Sequence, residues 1–484
     1  MRIGQTSVIF FISKLASSLL SFFAMVYFAR LLGSETLGIY FLVLAVVTWF
    51  QLIATLGLTK AVIKRLSEGD EASEFVTAGL TLQFTILGGL IGIIFLFREY
   101  IEAYIGATVA ELAVFILAAN ILFSFIGGVL KGSHRVHTYA ILDIGGNAGR
   151  SILQLGAVAA GFGLTGLLIG HAAGTAIIIV LSLFAISVGV HTPQKRHFVS
   201  LLSYAKYAWL GGFQRKTFSW MDTIVLGFFV SAGLIGIYEI AWNIASFMAI
   251  FSIAISQTLF PEISDASSDE QLDTVSSYLR DGITYCGLFL IPGLFGSVLI
   301  GEQILAIYGE EFTQGVYILT LLIFARLIYS YQRQFTTTLN SIDRPDLAFR
   351  VNVVFVGSNL ALNVGMIWAY GWIGAAVATA CSAAIGLVVG YWYVRKTVSF
   401  DVPALELGKQ WIAALVMALL VAAIIQGLAA VDQPVTIPVA ILLAGVGAGA
   451  FFTTLIAISR NFRTTVFDNL PFDVPWVRNS DSRF

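Results

Sequence analysis

The sequence predicts an all-α protein that crosses a lipid bilayer many times. Three observations carry that prediction. Apolar runs of the length a helix needs to span a bilayer core, about 20 residues, recur from one end of the 484 residues to the other. Only 11% of the residues are charged, where soluble domains run near 25%. No hydrophilic stretch is long enough to fold as a soluble domain, since the longest connection runs only from Pro261 to Arg280.

The apolar runs mark about fourteen spans, near residues 7–30, 36–58, 75–97, 108–130, 139–161, 164–187, 203–230, 232–260, 280–301, 315–338, 347–370, 372–394, 409–429 and 436–458. The first begins like a signal peptide, but Lys14 interrupts it and no small-residue cleavage site follows, so it reads as a retained span. The Pro261–Arg280 connection, with Glu262, Asp265, Asp269, Glu270 and Asp273, reads as an acidic solvated loop. Lys60, Lys64, Arg65, Lys131, Arg135, Lys195 and Arg196 gather on one side of the spans, against only Arg30 and Arg98 on the other. By the positive-inside rule, both termini are expected in the cytoplasm and the protein in the cell membrane.

The chain also repeats itself. Leu37-Gly38-Ile39-Tyr40 opens span 2, and Ile235-Gly236-Ile237-Tyr238 opens span 8. Gly163-Leu-Thr-Gly166 precedes span 6, and Gly371-Trp-Ile-Gly374 precedes span 12. The pairs are expected to mark two pseudo-symmetric six-helix bundles in the same orientation, residues 1–190 and 200–397. Two additional spans (405–460) and a tail (461–484) follow.

Charge inside the spans is the functional signal. Seven cations fall at membrane depth: Lys14, Arg150, Lys206, Arg215, Lys216, Arg326 and Arg333. Asp143, Asp222 and Glu239 are the acids that clearly oppose them, which leaves a surplus near +4. A cation at mid-bilayer costs at least about 2.5–3.5 kcal/mol, so such groups face protein or water, and a surplus attracts an anion. Helical spacing places Asp143, Asn147, Arg150 and Gln154 on one face of span 5, and Arg326, Ser330 and Arg333 on one face of span 10. Plainer roles stand beside these. Lys206, near a span end, reads as snorkelling, and Arg333 either snorkels or faces the interior. Asp143 and Arg150 are either a structural pair or part of the cavity. Arg215 and Lys216 point about 100° apart, so one of them faces inward. Asp222 and Glu239 either pair with Arg215 or hold a coupling cation. Arg326 is central in its span with no acid nearby in sequence.

No catalytic set emerges. None of the five histidines has a partner at metal-ligand spacing, so neither a metal nor a cofactor is expected. Nothing points to nucleic acid. The two cysteines, Cys286 and Cys381, both lie in apolar spans and define no disulfide framework.

Phe28-Ala-Arg-Leu-Leu-Gly33 followed by Leu37-Gly-Ile-Tyr40, and Asp222-Thr-Ile-Val-Leu-Gly227 running on to Gly236-Ile-Tyr238 and Ala241, resemble Wzx-type polysaccharide flippases. These belong to the MATE-like multidrug/oligosaccharidyl-lipid/polysaccharide exporter superfamily. The resemblance implies two bundles around a central cavity that opens to either side in turn. It also implies a cargo: a glycan on an isoprenyl phosphate or diphosphate, moved from the cytoplasmic to the outer leaflet. Pathway glycosyltransferases, or a polymerase or ligase, are implied partners. A cationic cavity formed by Lys14, Arg150, Arg215, Lys216, Arg326 and Arg333, supported by Asp143, Asn147, Asp222 and Glu239, suits such an anionic lipid. The alternative on the same fold is a cation-coupled multidrug antiporter. A membrane glycosyltransferase fits less well, because the external loops are short.

Overall fold

A helix of 53 residues is about 80 Å long, far more than the ~30 Å of a hydrocarbon core. The chain contains two such helices, and each is broken at a glycine. In the computed structural model, which describes residues 3–55, 57–189, 191–208, 210–269 and 271–468, α1 (Ile3–Thr55) breaks at Gly33, where φ is 78° and ψ is 173°. The second long helix, α15 (Pro345–Thr397), breaks at Gly371, φ 58° and ψ −142°. Between them come α2 (Leu58–Ser67), α3 (Ala72–Leu96), α4 (Arg98–Ile105), α5 (Ala110–Gly132), α6 (Val136–Ala159), α7 (Gly163–Leu183), α8 (Lys195–Ala208), α9 (Leu210–Phe229), α10 (Ala232–Met248), α11 (Ile250–Ser268), α12 (Leu272–Cys286), α13 (Leu290–Ala306) and α14 (Val316–Ser341). After α15 come α16 (Ala404–Ala430), α17 (Ile437–Ile458) and α18 (Arg460–Asp468). No strand occurs among the described residues.

This is an all-α polytopic membrane protein. Among the described residues, nine helical segments are long and apolar enough to cross a bilayer, and ten if α10 and α11, bent by 45° at their junction, count as one span. The figure of fourteen remains an expectation. Two of the nine segments, in α1 and α15, contain the glycine breaks.

By packing, the chain divides into two compact units. One comprises Met1–Ile240 with Asn359–Ala375, and the other Ala241–Ser358 with Ala376–Phe484. In the first unit, α6 packs on α7 and α1, and α2 lies against α5 and α8. Leu58, Ala61, Val62, Phe125, Val129 and Leu201 form a core there. Glu71, at the start of α3, takes a hydrogen bond from His197 at 2.9 Å and pairs with Arg196, which ties α3 to the start of α8. The His197 bond, with Arg196 adding to it, holds the Glu71 carboxyl below the usual range. Lys206, one of the sequence's membrane-depth cations, lies exposed near the end of α8.

In the second unit the expected Pro261–Arg280 loop is instead helical. α11 runs through Pro261 to Ser268, α12 starts at Leu272, and three residues join them. The reason is amphipathic spacing. Ile263 and Ala266, then Val275, Leu279 and Ile283, turn one face into a core with Leu339, Val351 and Val394, while Glu262, Asp265, Asp269 and Asp273 are exposed. Hydropathy averaged over a window sees the acids and misses the stripe.

The repeated glycines have a physical role. In the first unit the two Leu/Ile-Gly-Ile-Tyr motifs lie against each other. A β-carbon on Gly38 would sit 1.7 Å from the Ala232 carbonyl oxygen, and one on Gly236 would sit 2.1 Å from that of Ser34. Only glycine lets the two backbones touch, as is usual where lipid gives helices no hydrophobic drive to associate. In the other pair, Gly163 (φ 52°) and Gly371 (φ 58°) make the turn. Gly166 and Gly374 then press on the preceding backbone, at Ala157 and Met366.

Gly38→Ala or Gly236→Ala is expected to cost roughly 1–3 kcal/mol or more through overpacking. Because the two share one contact, the double variant should lose less than the sum. Thermal unfolding of the purified protein measures both; a wild-type midpoint in either single variant would contradict the backbone contact.

Candidate functional site

The sequence-predicted site residues fall in both units, and several of the charged ones take hydrogen bonds from or to neutral side chains. In the first, α6 carries Asp143, Asn147 and Arg150 down one face, all half-buried. The Arg150 guanidinium donates to Asn147 Oδ1 at 2.9 Å, and Asn147 Nδ2 donates to the Asp143 backbone carbonyl at 2.9 Å. Asp143 is met by the Tyr139 hydroxyl at 3.4 Å. Asp143 and Arg150 are therefore not the ion pair that the sequence left open: among the described residues, Arg150 is held by an amide. One turn on, Ser151 reaches Ser21 of α1 at 3.2 Å.

The acids of α9 and α10 form a reciprocal clasp. Tyr238 of α10 donates its hydroxyl to Asp222 Oδ2, and Thr223 of α9 donates to Glu239 Oε1. Asn363 of α15 adds a bond to Asp222 Oδ1 at 2.9 Å. Asp222 and Glu239 are 5% and 4% exposed, so these bonds replace water that the carboxylates have lost. Lys216 is half-buried on α9. The side chains of Lys14 and Arg215 lie outside the described residues, and with them the Arg215–Asp222 pairing.

In the second unit α14 carries Arg326, buried Ser330 and Arg333 at helical spacing. The Arg326 guanidinium lies over the indole of Trp242, 4.0 Å from the ring centroid, and donates to Ser246 Oγ. A desolvated cation over an indole face gains about 2 kcal/mol. Trp242, Tyr238, Thr223 and Asn363 were not among the site residues expected from the sequence. One signal was available: Tyr238 and Trp242 are four apart on one helix face, beside Glu239.

A family model described as "Polysaccharide biosynthesis protein" matches residues 3–267, more than half of the chain. The chain belongs to the polysaccharide biosynthesis protein family. Its match to two curated members from the archaeon Haloferax volcanii runs almost end to end. One, "Probable flippase AglR", is 31% identical over 96% of this chain and 98% of its own length. The other, "Probable low-salt glycan biosynthesis flippase Agl15", is 30% identical over 98% of this chain and all of its own. Among solved structures, "Lipid II flippase MurJ, inward closed conformation" superposes with a TM-score of 0.81 at 17% identity, covering 94% of this chain and 100% of that one. An inward-facing multidrug resistance MATE family transporter gives 0.64 at 14% identity, covering 80% of this chain and 99% of its own. These place the family member in the MATE-like fold, as the sequence resemblance implied.

Asp222→Ala would strand two buried donors, Tyr238 and Asn363, and is expected to cost roughly 2–5 kcal/mol. Asp143→Ala, which loses one long bond at a half-buried position, should cost under about 1 kcal/mol. Unfolding midpoints of the two variants test the clasp; equal losses would deny it a structural role.

Proposed function

We propose that this chain is a flippase for a lipid-linked oligosaccharide. Its cargo is a glycan on an isoprenyl phosphate or diphosphate, carried from the cytoplasmic to the outer leaflet for assembly of surface polysaccharide or glycoprotein. The observation that carries the reading is the near end-to-end match to two glycan flippases at 30–31% identity. The chemistry agrees. A lipid phosphate is anionic, and the chain holds basic groups at membrane depth that attract one. Under this reading Lys14, Arg150, Arg215, Lys216, Arg326 and Arg333 line a cationic central cavity that opens to either side in turn. Asp143, Asn147, Asp222 and Glu239 support it. The protein carries its substrate without changing it, so the reading requires no catalytic residues.

The remaining assignments belong to the same proposal. Residues 1–190 and 200–397 act as the two six-helix bundles, with 405–460 and the 461–484 tail appended. The protein sits in the cell membrane with both termini cytoplasmic. The glycosyltransferases that build the cargo, and a polymerase or ligase that uses it, are its pathway partners.

A second reading, cation-coupled multidrug export, draws on the MATE-like fold and on buried Asp222 and Glu239. Resistance to cationic dyes, independent of any glycan, would favour it.

Deleting the gene is expected to abolish the surface glycan while its lipid-linked precursor accumulates. Restoring the chain as Arg215→Ala/Arg326→Ala should recover less than a tenth of the glycan at normal protein abundance in the membrane. Mass spectrometry of surface glycans and lipid extracts gives both results. An unchanged glycan in the deletion strain would sink the flippase, and full recovery by the double variant would sink the charge assignment.

A further inference from the structure

Tyr40 on the second half of α1, Gln154 on α6 and His171 on α7 form a closed polar triad inside the first unit, and the function proposed above uses none of them. Gln154 Nε2 donates to the Tyr40 oxygen at 2.9 Å and to the Leu167 carbonyl at 2.8 Å, which employs both of its protons. The Tyr40 hydroxyl also faces His171 Nδ1 at 3.2 Å. If Tyr40 donates to Nδ1, the imidazole carries its proton on Nε2, and that N–H is the single group left over. The opposite tautomer leaves two, the Tyr40 proton and the Nε2 lone pair. The arrangement with fewer stranded groups makes His171 an Nε2–H donor. His171 is 4% exposed, and Nε2 has no hydrogen-bond partner among the described residues. A buried donor that persists without an acceptor calls for one that the chain does not supply.

Arg150 belongs to the same contact. Gly170 lets the Gln154 backbone, and Gly174 the Arg150 backbone, reach α7. A β-carbon at those glycines would lie 2.7 and 2.6 Å from the respective Cα atoms. His171 lies three positions before Gly174 on α7, within one turn of the point where Arg150 meets that helix. Among the described residues Arg150 forms no ion pair, and no member of the triad carries a negative charge.

We propose that Arg150 and His171 Nε2–H form an oxyanion-binding pair, with Tyr40 and Gln154 as positioning residues that fix the His171 tautomer. The ligand is an anionic group of the carried glycolipid, either the phosphate of the carrier or the carboxylate of an acidic sugar. The identity of that ligand rests on the flippase reading; the donor pair itself does not. Nε2 is shielded from solvent, so binding requires α1 to separate locally from α6 and α7 within the first unit.

The purified full-length chain can be titrated with inorganic pyrophosphate and, separately, with glucuronate, reading the thermal unfolding midpoint. At least one anion is expected to raise the midpoint of the wild type. Pyrophosphate would assign the site to the lipid headgroup, and glucuronate to an acidic sugar. His171→Leu is expected to weaken that anion at least tenfold, and His171→Gln, which keeps an N–H donor, less than threefold. Without anion, His171→Leu should unfold no lower than wild type, because an apolar side chain removes the stranded donor. A merely structural histidine would give the reverse, a lower midpoint with unchanged affinity. Tyr40→Phe, which frees the tautomer, is expected to weaken binding threefold or more and serves as a second variant should His171→Leu fail to fold. Binding of neither anion to wild type, or equal affinity in wild type and the His171→Leu and Tyr40→Phe variants, overturns the site. Flipping of a fluorescent lipid-linked glycan by wild-type protein in vesicles is measured alongside. Its absence overturns the flippase reading and leaves the anion titration to judge the site alone.

Discussion

Lipid offers an ion nothing, so every charge this chain carries to membrane depth must be met by another side chain or by water that the protein admits. The answers differ by sign. The carboxylates of Asp222 and Glu239 are almost fully closed off and are met by hydroxyls from the facing helix, Tyr238 and Thr223, with the Asn363 amide added to Asp222. The guanidinium groups stay half-buried. Arg150 rests on an amide oxygen, and Arg326 on an indole face and a serine hydroxyl. Each such hydroxyl or amide bond replaces part of the hydration that a buried carboxylate has lost.

The same scarcity of partners governs the backbone. Apolar side chains gain little by touching one another rather than lipid, so helices cohere where their main chains can come close. Gly38 against Ala232, and Gly236 against Ser34, are such approaches in the first unit. They fix α10 against α1. Tyr238 and Glu239 follow Gly236 within one turn, so the glycine contact also sets where the α9–α10 clasp can form. Gly170 and Gly174 play the equivalent part between α6 and α7, seating Gln154 and Arg150 against α7. Close backbones and satisfied polar groups are two parts of one arrangement here.

This explains what could be read from the sequence and what could not. The spans were legible because a bilayer sorts residues by hydropathy, and the glycine breaks at 33 and 371 fall where one apolar run gives way to the next. The repeated glycine motifs were visible as repeats, but their mutual contact joins segments almost 200 positions apart, and no local pattern reports it. The α11–α12 extension was lost because its acids outweigh a narrow apolar stripe in any window average. For the charges, helical periodicity gave the shared faces of α6 and α14. It could not give their partners, since Ser246 meets Arg326 across 80 positions and Asn363 meets Asp222 across 141. His171 was set aside for want of a metal-ligand partner. The hydroxyl and amide that define its role come from α1 and α6, the former 131 positions away.

A carrier must release what it binds, and this favours the partners seen here. An arginine locked to a carboxylate deep in a membrane would have to give up a strong charge–charge contact before accepting a phosphate, and regain it afterwards. Breaking a buried pair by removing one partner costs roughly 3–5 kcal/mol, a barrier that an exchange of one anion for another must largely match in both directions. An arginine resting on an amide gives up far less, on the order of 1.5–3 kcal/mol for a hydrogen bond to a charged group, and an indole face contributes about 2 kcal/mol. Such a cation is held in place in the empty protein and is still strong enough to attract an anion. At Arg150, which forms no ion pair among the described residues, the ligand's own hydration sets the balance between capture and release. Arg150, with Asn147 as its described partner, has this character most clearly, and the unpartnered N–H of neighbouring His171 would add a directional bond to it at no cost in charge.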